Sequence, residues 1–250
     1  MKKITIVITG GTAGIGLATA RYFSDRGHRV FISGRDKRRL DSALATLSDT
    51  CGGAVGDVND TESLQRLYEM AGPIDVLFAN AGVSYAAKPL HELSIEEIER
   101  IVNTNFMGVI RTIHTAIPSM NNASSLIINS STIGKYSFSG QSVYGATKAG
   151  VEGLTRGLAG ELAPLGIRVN AIRTGFIDTE IIENSGVPTA EANAIRAGAV
   201  SAIPRREIGK PDEIAEIVEF LGLGACFVNG EVITADGGQT ACFVPPPYDA

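Results

Sequence analysis

Short apolar runs rich in β-branched residues alternate with stretches of helical periodicity along the chain. Apolar runs of this kind, bounded by turn residues, are typical of buried strands. Seven of them fit this description, at residues 4–9, 29–33, 54–57, 74–79, 125–130, 167–172 and 231–235. The stretches between them predict one helix that ends near residue 26 and five others, at about 36–47, 61–70, 95–120, 142–162 and 211–221.

Strands that alternate with helices predict an α/β fold of the Rossmann type. We expect a doubly wound, seven-stranded parallel sheet with helices on both faces, built as one domain over residues 1–240. The connection 175–208 carries one weak helical patch, at about 189–199, and such a long segment in a compact domain is typical of a substrate loop. The Pro-rich tail 241–250 is predicted to join neither a sheet nor a helix interior.

The composition excludes several classes of protein. The 250 residues carry a formal charge of −5 with no extended Lys/Arg block, which argues against nucleic-acid binding. Three widely spaced cysteines without a CxxC pair indicate a reducing, cytoplasmic location rather than a disulfide framework. The three histidines share no metal-ligand spacing, so we expect no metal site, and no apolar run approaches the roughly 20 residues of a membrane span.

Glycine is the residue type that stands out, with 29 in the chain. Gly10, Gly14 and Gly16 fall between the first predicted strand and the first helix. A turn without side chains comes close to a pyrophosphate held at a helix N-terminus. The spacing is not GxGxxG, and a tight turn without a ligand is the alternative.

The end of the second predicted strand bears on the choice of dinucleotide. A carboxylate about 20 residues after the glycine turn receives ribose hydroxyls in dinucleotide folds. Here Gly34 occupies that place, followed by Arg35, whose guanidinium suits a 2′-phosphate, with Ser33 as a further donor. The pattern favours NADP(H) over NAD(H). The alternative is a solvated basic helix start with Asp36 as its N-cap.

Tyr144 and Lys148 lie four residues apart on a predicted helix and therefore on one face. A phenol with a pKa near 10 exchanges protons poorly at neutral pH, and a nearby ammonium in a water-excluding site lowers that pKa. Taken alone, this spacing is common on helices and most often structural.

Further motifs accompany this pair, and from Lys3 to about Gly238 the chain resembles the main branch of the short-chain dehydrogenase/reductase family. Thr9–Gly16 match the family's cofactor turn, and Asp57-Val58 match its adenine-pocket pair. Asn80-Ala81-Gly82 match its loop motif, Asn105 matches its helix asparagine, and Ser131 matches its catalytic serine. Its enoyl-reductase branch separates the tyrosine and lysine by six residues, which this chain does not resemble.

The resemblance implies a role for each matched residue. Tyr144 would be the general acid/base, Ser131 would hydrogen-bond the carbonyl oxygen, and Lys148 would lower the tyrosine pKa and hold the nicotinamide ribose. Asn105 would support a water-mediated proton relay to Lys148. The implied cofactor contacts also include Thr12, Ile15, Gly175, Ile177 and Thr179.

Two positions depart from the family pattern. Thr174 stands where the family has proline before glycine, and we expect it to loosen the loop that follows. Ala13 stands where many NADP-preferring members carry a basic residue, which leaves Arg35 as the main phosphate ligand.

A stripe of glycines lies on the helix face about opposite Tyr144 and Lys148, at about 100° per residue. The glycine stripe consists of Gly150, Gly153, Gly157 and Gly160. It predicts close approach of another helix, either from the same chain or from another subunit, and the resemblance implies a homotetramer, with a dimer as the alternative.

Substrate contacts are predicted at Ser131, Tyr136, Gln141 and Phe176, with Tyr85, Lys135 and the 180–200 loop nearby. Three functions compete: an NADPH-dependent ketone reductase acting on a carbonyl or its secondary alcohol, a 3-oxoacyl-thioester reductase serving an acyl-carrier protein, and a non-catalytic NADP-binding sensor.

Overall fold

The computed structural model describes residues 3–242, and it confirms the predicted fold class. Seven strands form a single sheet in which every neighbouring pair is parallel, in the order β3-β2-β1-β4-β5-β6-β7. The strands are Thr5–Thr9 (β1), Arg29–Gly34 (β2), Gly52–Val55 (β3), Ile74–Ala79 (β4), Met120–Ser131 (β5), Arg168–Thr174 (β6) and Val232–Ala235 (β7).

Eight α-helices connect and cover the described strands. They are Gly14–Asp25 (α1), Lys37–Leu44 (α2), Thr61–Ala71 (α3), Ile95–Val102 (α4), Gly108–Ala116 (α5), Ser142–Glu161 (α6), Thr189–Ala202 (α7) and Pro211–Glu219 (α8). All except α7 lie in the stretches predicted to be helical, and α7 extends the weak patch of the 175–208 connection. The predicted tail lies outside the described residues from position 243 onward.

The predicted helix over 95–120 is wrong in two respects. A π-helical turn, Asn103–Met107, separates α4 from α5, and the Gly108 amide donates to the Asn103 carbonyl. Helix α5 then ends before Pro118, which lies in a short 3-10 turn, and β5 already begins at Met120 rather than at 125. Hydrophobic periodicity does not register a π turn, since one extra residue leaves the apolar face nearly continuous.

Strand β3 begins two residues earlier than predicted because glycines allow it to pack closely against β2. A Cβ on Gly53 would lie 2.5 Å from the Ile32 carbonyl oxygen, a contact that no other residue type tolerates. The sequence pattern places the strand by its side chains, and these glycines have none.

The hydrophobic core lies on both faces of the sheet. On one face Val7 and Leu77 pack against α3, α5 and α6, and on the other Ile8 and Phe78 pack against α1 and α8. Successive residues of β1 and β4 thus enter opposite cores, as expected for buried parallel strands. No helix within residues 3–242 combines the length and apolar character needed to cross a membrane.

Candidate active site

A cleft of about 610 Å³ opens beyond the carboxyl ends of the strands. The strand order reverses between β1 and β4, and ligands of doubly wound folds bind at such a switch point. The predicted residues in its walls are Gly10, Thr12, Gly14, Ile15, Arg35, Asn80, Ala81, Gly82, Ser131, Tyr144, Lys148, Gly175, Ile177 and Thr179.

The glycine turn between β1 and α1 requires its glycines. Gly10 has φ +66° and Gly14 has φ +51°, both in the left-handed region. Gly16 lies behind the cleft wall, where a Cβ would come within 2.2 Å of the Gly10 carbonyl oxygen. The turn therefore folds back on itself and leaves the first amides of α1 facing the cleft, as an anion site requires.

Two side chains join this turn to the loop after β4. The Thr9 hydroxyl accepts hydrogen bonds from the Asn80 amide at 3.2 Å and the Ala81 amide at 3.3 Å. The Asn80 side chain donates in return to the carbonyls of Thr9 and Gly10, at 3.1 and 3.2 Å. The floor of the cleft is thus fixed before any ligand binds.

Ser131, Tyr144 and Lys148 come together on the wall formed by β5 and α6. The Lys148 side chain is buried, and its Nζ donates to the Asn129 carbonyl oxygen at 2.7 Å. That Nζ lies 5.8 Å from the centre of the Tyr144 ring. Ser131 is buried beside them, and its Oγ accepts from the Ile133 amide at 3.3 Å.

The electrostatics of this group differ from the expectation. Burial raises the pKa of Tyr144, and a hydrogen bond with Ser131 offsets part of that rise. Burial lowers the pKa of Lys148 to about 8. The lowering of the tyrosine pKa expected from Lys148 does not outweigh the effect of burial, because the ammonium donates to the Asn129 carbonyl rather than to the phenol. Tyr144 therefore holds its proton at neutral pH.

Asn105 lies in the π turn, fully buried, and not in the cleft wall. Its side-chain oxygen accepts from the Val83 amide and its nitrogen donates to the Val83 carbonyl, both at 2.8 Å. The water-mediated relay from Asn105 to Lys148 stays a prediction. The side chain fixes the loop that follows Gly82, whose α-carbon faces both Asn105 and Lys148. π turns are frequent at functional sites, and this one carries the side chain that holds Val83.

The opposite end of the cleft carries exposed arginines. Arg35 and Arg39 both line it, and Arg35 has no salt-bridge partner among the described residues. Asp36 caps α2 by accepting from the Arg39 amide at 3.0 Å, as the alternative interpretation predicted. The Arg39 guanidinium lies 3.3 Å from a carboxylate oxygen of Glu180, which belongs to the substrate loop.

The substrate loop reaches across the glycine turn. Thr179 lies over Gly14, where an added Cβ would be 3.1 Å from the Thr179 methyl group. The Arg196 guanidinium donates to the Thr179 carbonyl at 3.2 Å, which joins α7 to this contact. Loop and turn thus enclose the middle of the cleft from two sides.

Besides Gly16, three predicted cofactor residues lie outside the cleft walls. Ser33 is buried within the sheet and does not line the cleft. Asp57 accepts from the Asn59 amide at 2.9 Å and shapes the turn after β3. Val58 is buried against Gly108, where an added Cβ would lie 2.6 Å away.

Three predicted substrate residues also lie elsewhere. Tyr136 is exposed at the surface. Gln141 is buried, and its side-chain nitrogen donates to the Tyr85 carbonyl at 3.2 Å. Phe176 lines a separate cavity of about 210 Å³, together with Ile177 and residues from Ile203 to Ile217. Of the four predicted substrate contacts, Ser131 faces the main cleft.

Thr174 does not loosen its loop. It is buried in β6, and its hydroxyl donates to the Ser130 carbonyl at 3.1 Å. The glycine after it is packed too, since a Cβ on Gly175 would lie 2.7 Å from the Asp236 side chain.

The sequence patterns missed Asn129, which links both halves of the site. Its carbonyl holds Lys148, and its side-chain nitrogen donates to Asn80 at 2.9 Å. Its side-chain oxygen is buried and has no hydrogen-bond partner among residues 3–242. An amide interrupting the apolar run of β5 is a signal that could have identified it. Arg39 and Arg100 also line the cleft without having been predicted to do so, and Glu180 and Asn184 line it from the 180–200 loop that was predicted nearby.

The glycine stripe divides into two parts. Gly150 packs within the chain, where an added Cβ would lie 2.9 Å from the Phe106 ring. Gly153, Gly157 and Gly160 are exposed, and no other described element comes within 4 Å of the Cβ positions built on them.

Known proteins resemble this chain over nearly its whole length. A family model described as enoyl-(acyl carrier protein) reductase matches residues 10–240. A cis-4-hydroxycyclohexanecarboxylate dehydrogenase of Sinomonas cyclohexanicum is 37% identical over 245 residues, which cover 94% of this chain and 96% of that protein.

Two further similarities agree. A 3-oxoacyl-[acyl-carrier-protein] reductase of Thermotoga maritima is 35% identical over 242 residues, covering 93% of this chain and 96% of the relative. The crystal structure of a levodione reductase matches with a TM-score of 0.88 at 30% identity, covering 96% of this chain and 98% of the other.

Proposed function

The chain belongs to the short-chain dehydrogenase/reductase family, whose members are oxidoreductases of alcohol and ketone groups. From this premise we propose an NADP(H)-dependent oxidoreductase that reduces a ketone or oxidises its secondary alcohol. Tyr144 is the general acid in reduction and the general base in the reverse direction. The observation that carries the proposal is the continuity of one cleft, whose walls include both Arg35 and the Tyr144–Lys148 pair.

The residues present fit a phosphorylated dinucleotide. The glycine turn presents the N-terminus of α1 to a pyrophosphate, and Arg35 is available for a 2′-phosphate. Lys148 and the unpartnered side-chain oxygen of Asn129 offer a donor and an acceptor to ribose or amide groups. When bound, NADPH supplies the hydride that reduces the carbonyl carbon.

The chain's own residues then supply the proton and the geometry. The neutral Tyr144 hydroxyl donates its proton to the carbonyl oxygen as negative charge develops there, and Ser131 donates a hydrogen bond to the same oxygen. Lys148 is an ammonium below about pH 8, which favours the tyrosinate left after proton transfer. Proton return from solvent restores the phenol.

Reduction of a 3-oxoacyl thioester is the second candidate, favoured by the activity named for the Thermotoga maritima relative. It uses the same residues and hydride transfer but needs a carrier-protein surface, which the net charge of −5 mildly disfavours. A non-catalytic NADP sensor is the third, and it gives no reason for Ser131, Tyr144 and Lys148 to meet in the cleft.

We test cofactor choice first, because it does not depend on the substrate. Purified protein is titrated with NADPH and with NADH while nicotinamide fluorescence is followed. We expect NADPH to bind at least about tenfold more tightly, as a pair of charge-assisted hydrogen bonds to phosphate predicts. Equal affinities would contradict the role of Arg35 and make NAD(H) the cofactor.

Turnover is then measured with NADPH and two probes, 4-oxocyclohexanecarboxylate and an acetoacetyl thioester of an acyl-carrier protein. Faster reduction of the free ketone supports the first candidate, and faster reduction of the thioester supports the second. Cofactor binding without turnover of any ketone in a wider panel supports the sensor.

We also propose a homotetramer that works in the cytoplasm. The exposed residues of the glycine stripe support close contact between α6 helices of two subunits, and all three cysteines are free, as in a reducing compartment. Gly153→Leu is expected to dissociate the assembly in sedimentation, whereas Gly150→Ala, which changes an internal contact with Phe106, is not.

A further inference from the structure

Four largely buried polar side chains lie beside and behind Ser131 and Lys148, and two of them, Ser130 and Thr174, also line the cleft. They are Ser130 on β5, Glu152 on α6, and Arg173 and Thr174 at the end of β6. Ser130, Glu152 and Thr174 are 1%, 6% and 7% exposed, and the Arg173 side chain is 12% exposed. We call these four residues the polar ring.

The hydrogen bonds among these residues form a closed ring. The Thr174 hydroxyl donates to the Ser130 carbonyl at 3.1 Å, and the Ser130 hydroxyl donates to Glu152 Oε1 at 2.9 Å. Arg173 then grips both oxygens of Glu152, from Nε at 2.8 Å and from Nη2 at 2.6 Å. Since Arg173 and Thr174 are consecutive, the ring joins β5, α6 and β6 without a gap.

Each member of the ring adjoins a residue of the site. Ser130 precedes Ser131, and its hydroxyl also lies 3.3 Å from the Lys148 carbonyl oxygen. Glu152 follows Lys148 by one helical turn, and Thr174 pairs with Ser131 in the β5–β6 register. A shift of any member therefore moves a group that faces the cleft.

Stability alone does not account for a buried ion pair in this place. Two desolvated charges recover little net stability, and apolar residues of similar size commonly serve as well. What a bidentate guanidinium–carboxylate pair adds is a fixed geometry. Reacting groups need positions good to about 0.5 Å, so geometry is worth most beside them.

We propose that the polar ring sets the position of Ser131 relative to Tyr144 and Lys148, which makes Glu152 and Arg173 positioning residues for the chemistry of the cleft. The inference rests on the proposed function for its catalytic meaning. Neither residue touches the cleft; they act through the strand and the helix that carry the reacting groups.

The main test is the double variant Glu152→Met/Arg173→Met, which removes both charges and leaves neither one buried alone. We expect kcat on the best ketone of the panel to fall at least about tenfold, because small displacements of reacting groups cost that much. The NADPH dissociation constant and the melting temperature are expected to stay near those of the unchanged protein. Arg26→Met, which removes a partly exposed ion pair between α1 and α8, is the control.

A milder pair of variants covers the case in which the double variant does not fold. Thr174→Val removes only the hydroxyl that donates to Ser130, and Thr174→Ser restores it. We expect kcat to fall several-fold in the valine variant and to recover in the serine variant, with the KM for NADPH unchanged in both. A kcat within twofold of the unchanged protein in both sets, or losses that only follow melting temperature, would overturn the proposal.

A readout without substrate separates this proposal from the proposed function. The ultraviolet titration of tyrosinate, taken as the difference from Tyr144→Phe, reports Tyr144 alone. In the double variant we expect its midpoint to rise, because the hydrogen bond with Ser131 that lowers it is lost. If the protein reduces no ketone, a shifted midpoint still supports the ring, and an unchanged midpoint overturns it.

Discussion

The two ends of the cleft differ in the elements that carry their side chains and in how deeply those side chains are buried. At the catalytic end, defined by Ser131, Tyr144 and Lys148, the side chains come from β5 and α6, and Lys148 is only 4% exposed. At the adenosine end, defined by Arg35, Arg39 and Glu180, the side chains come from the start of α2 and from the substrate loop. Arg39 and Glu180 have side chains 53% and 63% exposed.

This difference predicts that the buried end fixes the geometry of the reacting groups, whereas the exposed end contributes to the affinity for the cofactor. Buried groups on regular elements are fixed by their neighbours, and the polar ring adds a second layer behind them. Exposed arginines have few contacts that fix their position, and an exposed ion pair contributes about 1 kcal/mol at most to the free energy of unfolding. Substitutions at the catalytic end should therefore change rate, and those at the adenosine end should change binding.

The largest effect is expected from Tyr144→Phe. Removing a general acid costs about 10²- to 10⁴-fold in rate, so kcat should fall by that factor while the NADPH dissociation constant stays unchanged. Steady-state kinetics and fluorescence titration measure the two. Tyr22→Phe, which loses a hydrogen bond to Glu219 far from the cleft, is the control. Unchanged turnover in Tyr144→Phe would remove the tyrosine from its proposed role.

The next effect concerns Arg35→Ala at the adenosine end. A charged hydrogen-bond partner is worth about 1.5–3 kcal/mol, so NADPH should bind about 10- to 100-fold more weakly while NADH binding and kcat hardly change. Fluorescence titration with both nucleotides decides this. Arg38→Ala, on the same helix start but outside the cleft walls, should leave both affinities unchanged. Equal weakening of NADH would mean that Arg35 does not recognise the phosphate.

A smaller effect follows from the pKa of Lys148. Burial lowers that pKa to about 8, so the ammonium is lost as the pH rises through 8. The nearest carboxylate behind it, Glu152, is already paired with Arg173. We expect kcat/KM for ketone reduction to fall by about tenfold per pH unit above this point, as for a single essential proton. A profile that stays flat to pH 10 would contradict it.

The lowered pKa of Lys148 also predicts the direction in which the free energy of unfolding changes with pH. Because its pKa in the folded state lies below that of an unfolded lysine, burial of the charge costs stability in full below pH 8. That cost fades as the pH rises from 8 toward 10.5, the pKa of a free lysine. Urea unfolding across this range should show a stabilising contribution that increases with pH and is missing in Lys148→Met.

The smallest effect is expected from Glu180→Gln, which breaks the exposed pair with Arg39. NADPH should associate and dissociate faster, by less than about fivefold, because an exposed pair is worth no more than that. Stopped-flow fluorescence measures both rates. Glu207→Gln, on the same connection but paired with Arg205, is the matched control.

Local spacing predicted much of this molecule, and contacts distant in sequence were the part that it missed. The seven strands and the cleft residues Gly10, Tyr144 and Lys148 follow from motifs read within a few residues of one another. The start of β3 and the π turn around Asn105 do not, because glycine packing and a single extra helical residue leave no mark on hydrophobic periodicity.

Orientation was predicted less well than position. Phe176 and Gln141 lie near the site along the chain. Phe176 nevertheless lines another cavity, and the buried Gln141 side chain donates a hydrogen bond to the Tyr85 carbonyl. The polar ring is closed by hydrogen bonds between residues 21–44 positions apart, so no short sequence window contains it. The expectation for Thr174 failed for the same reason, since its partner Ser130 lies on another strand.

The contact between Thr179 and Gly14 has a consequence for the pace of turnover. We expect a dinucleotide that enters or leaves the middle of the cleft to displace the substrate loop, which would add two loop movements to each cycle whatever the reactivity of the carbonyl. With a reactive ketone, we expect these movements to be the slow steps. The rate would then respond to the friction of the solvent, and added glycerol or sucrose would slow the protein in proportion to viscosity.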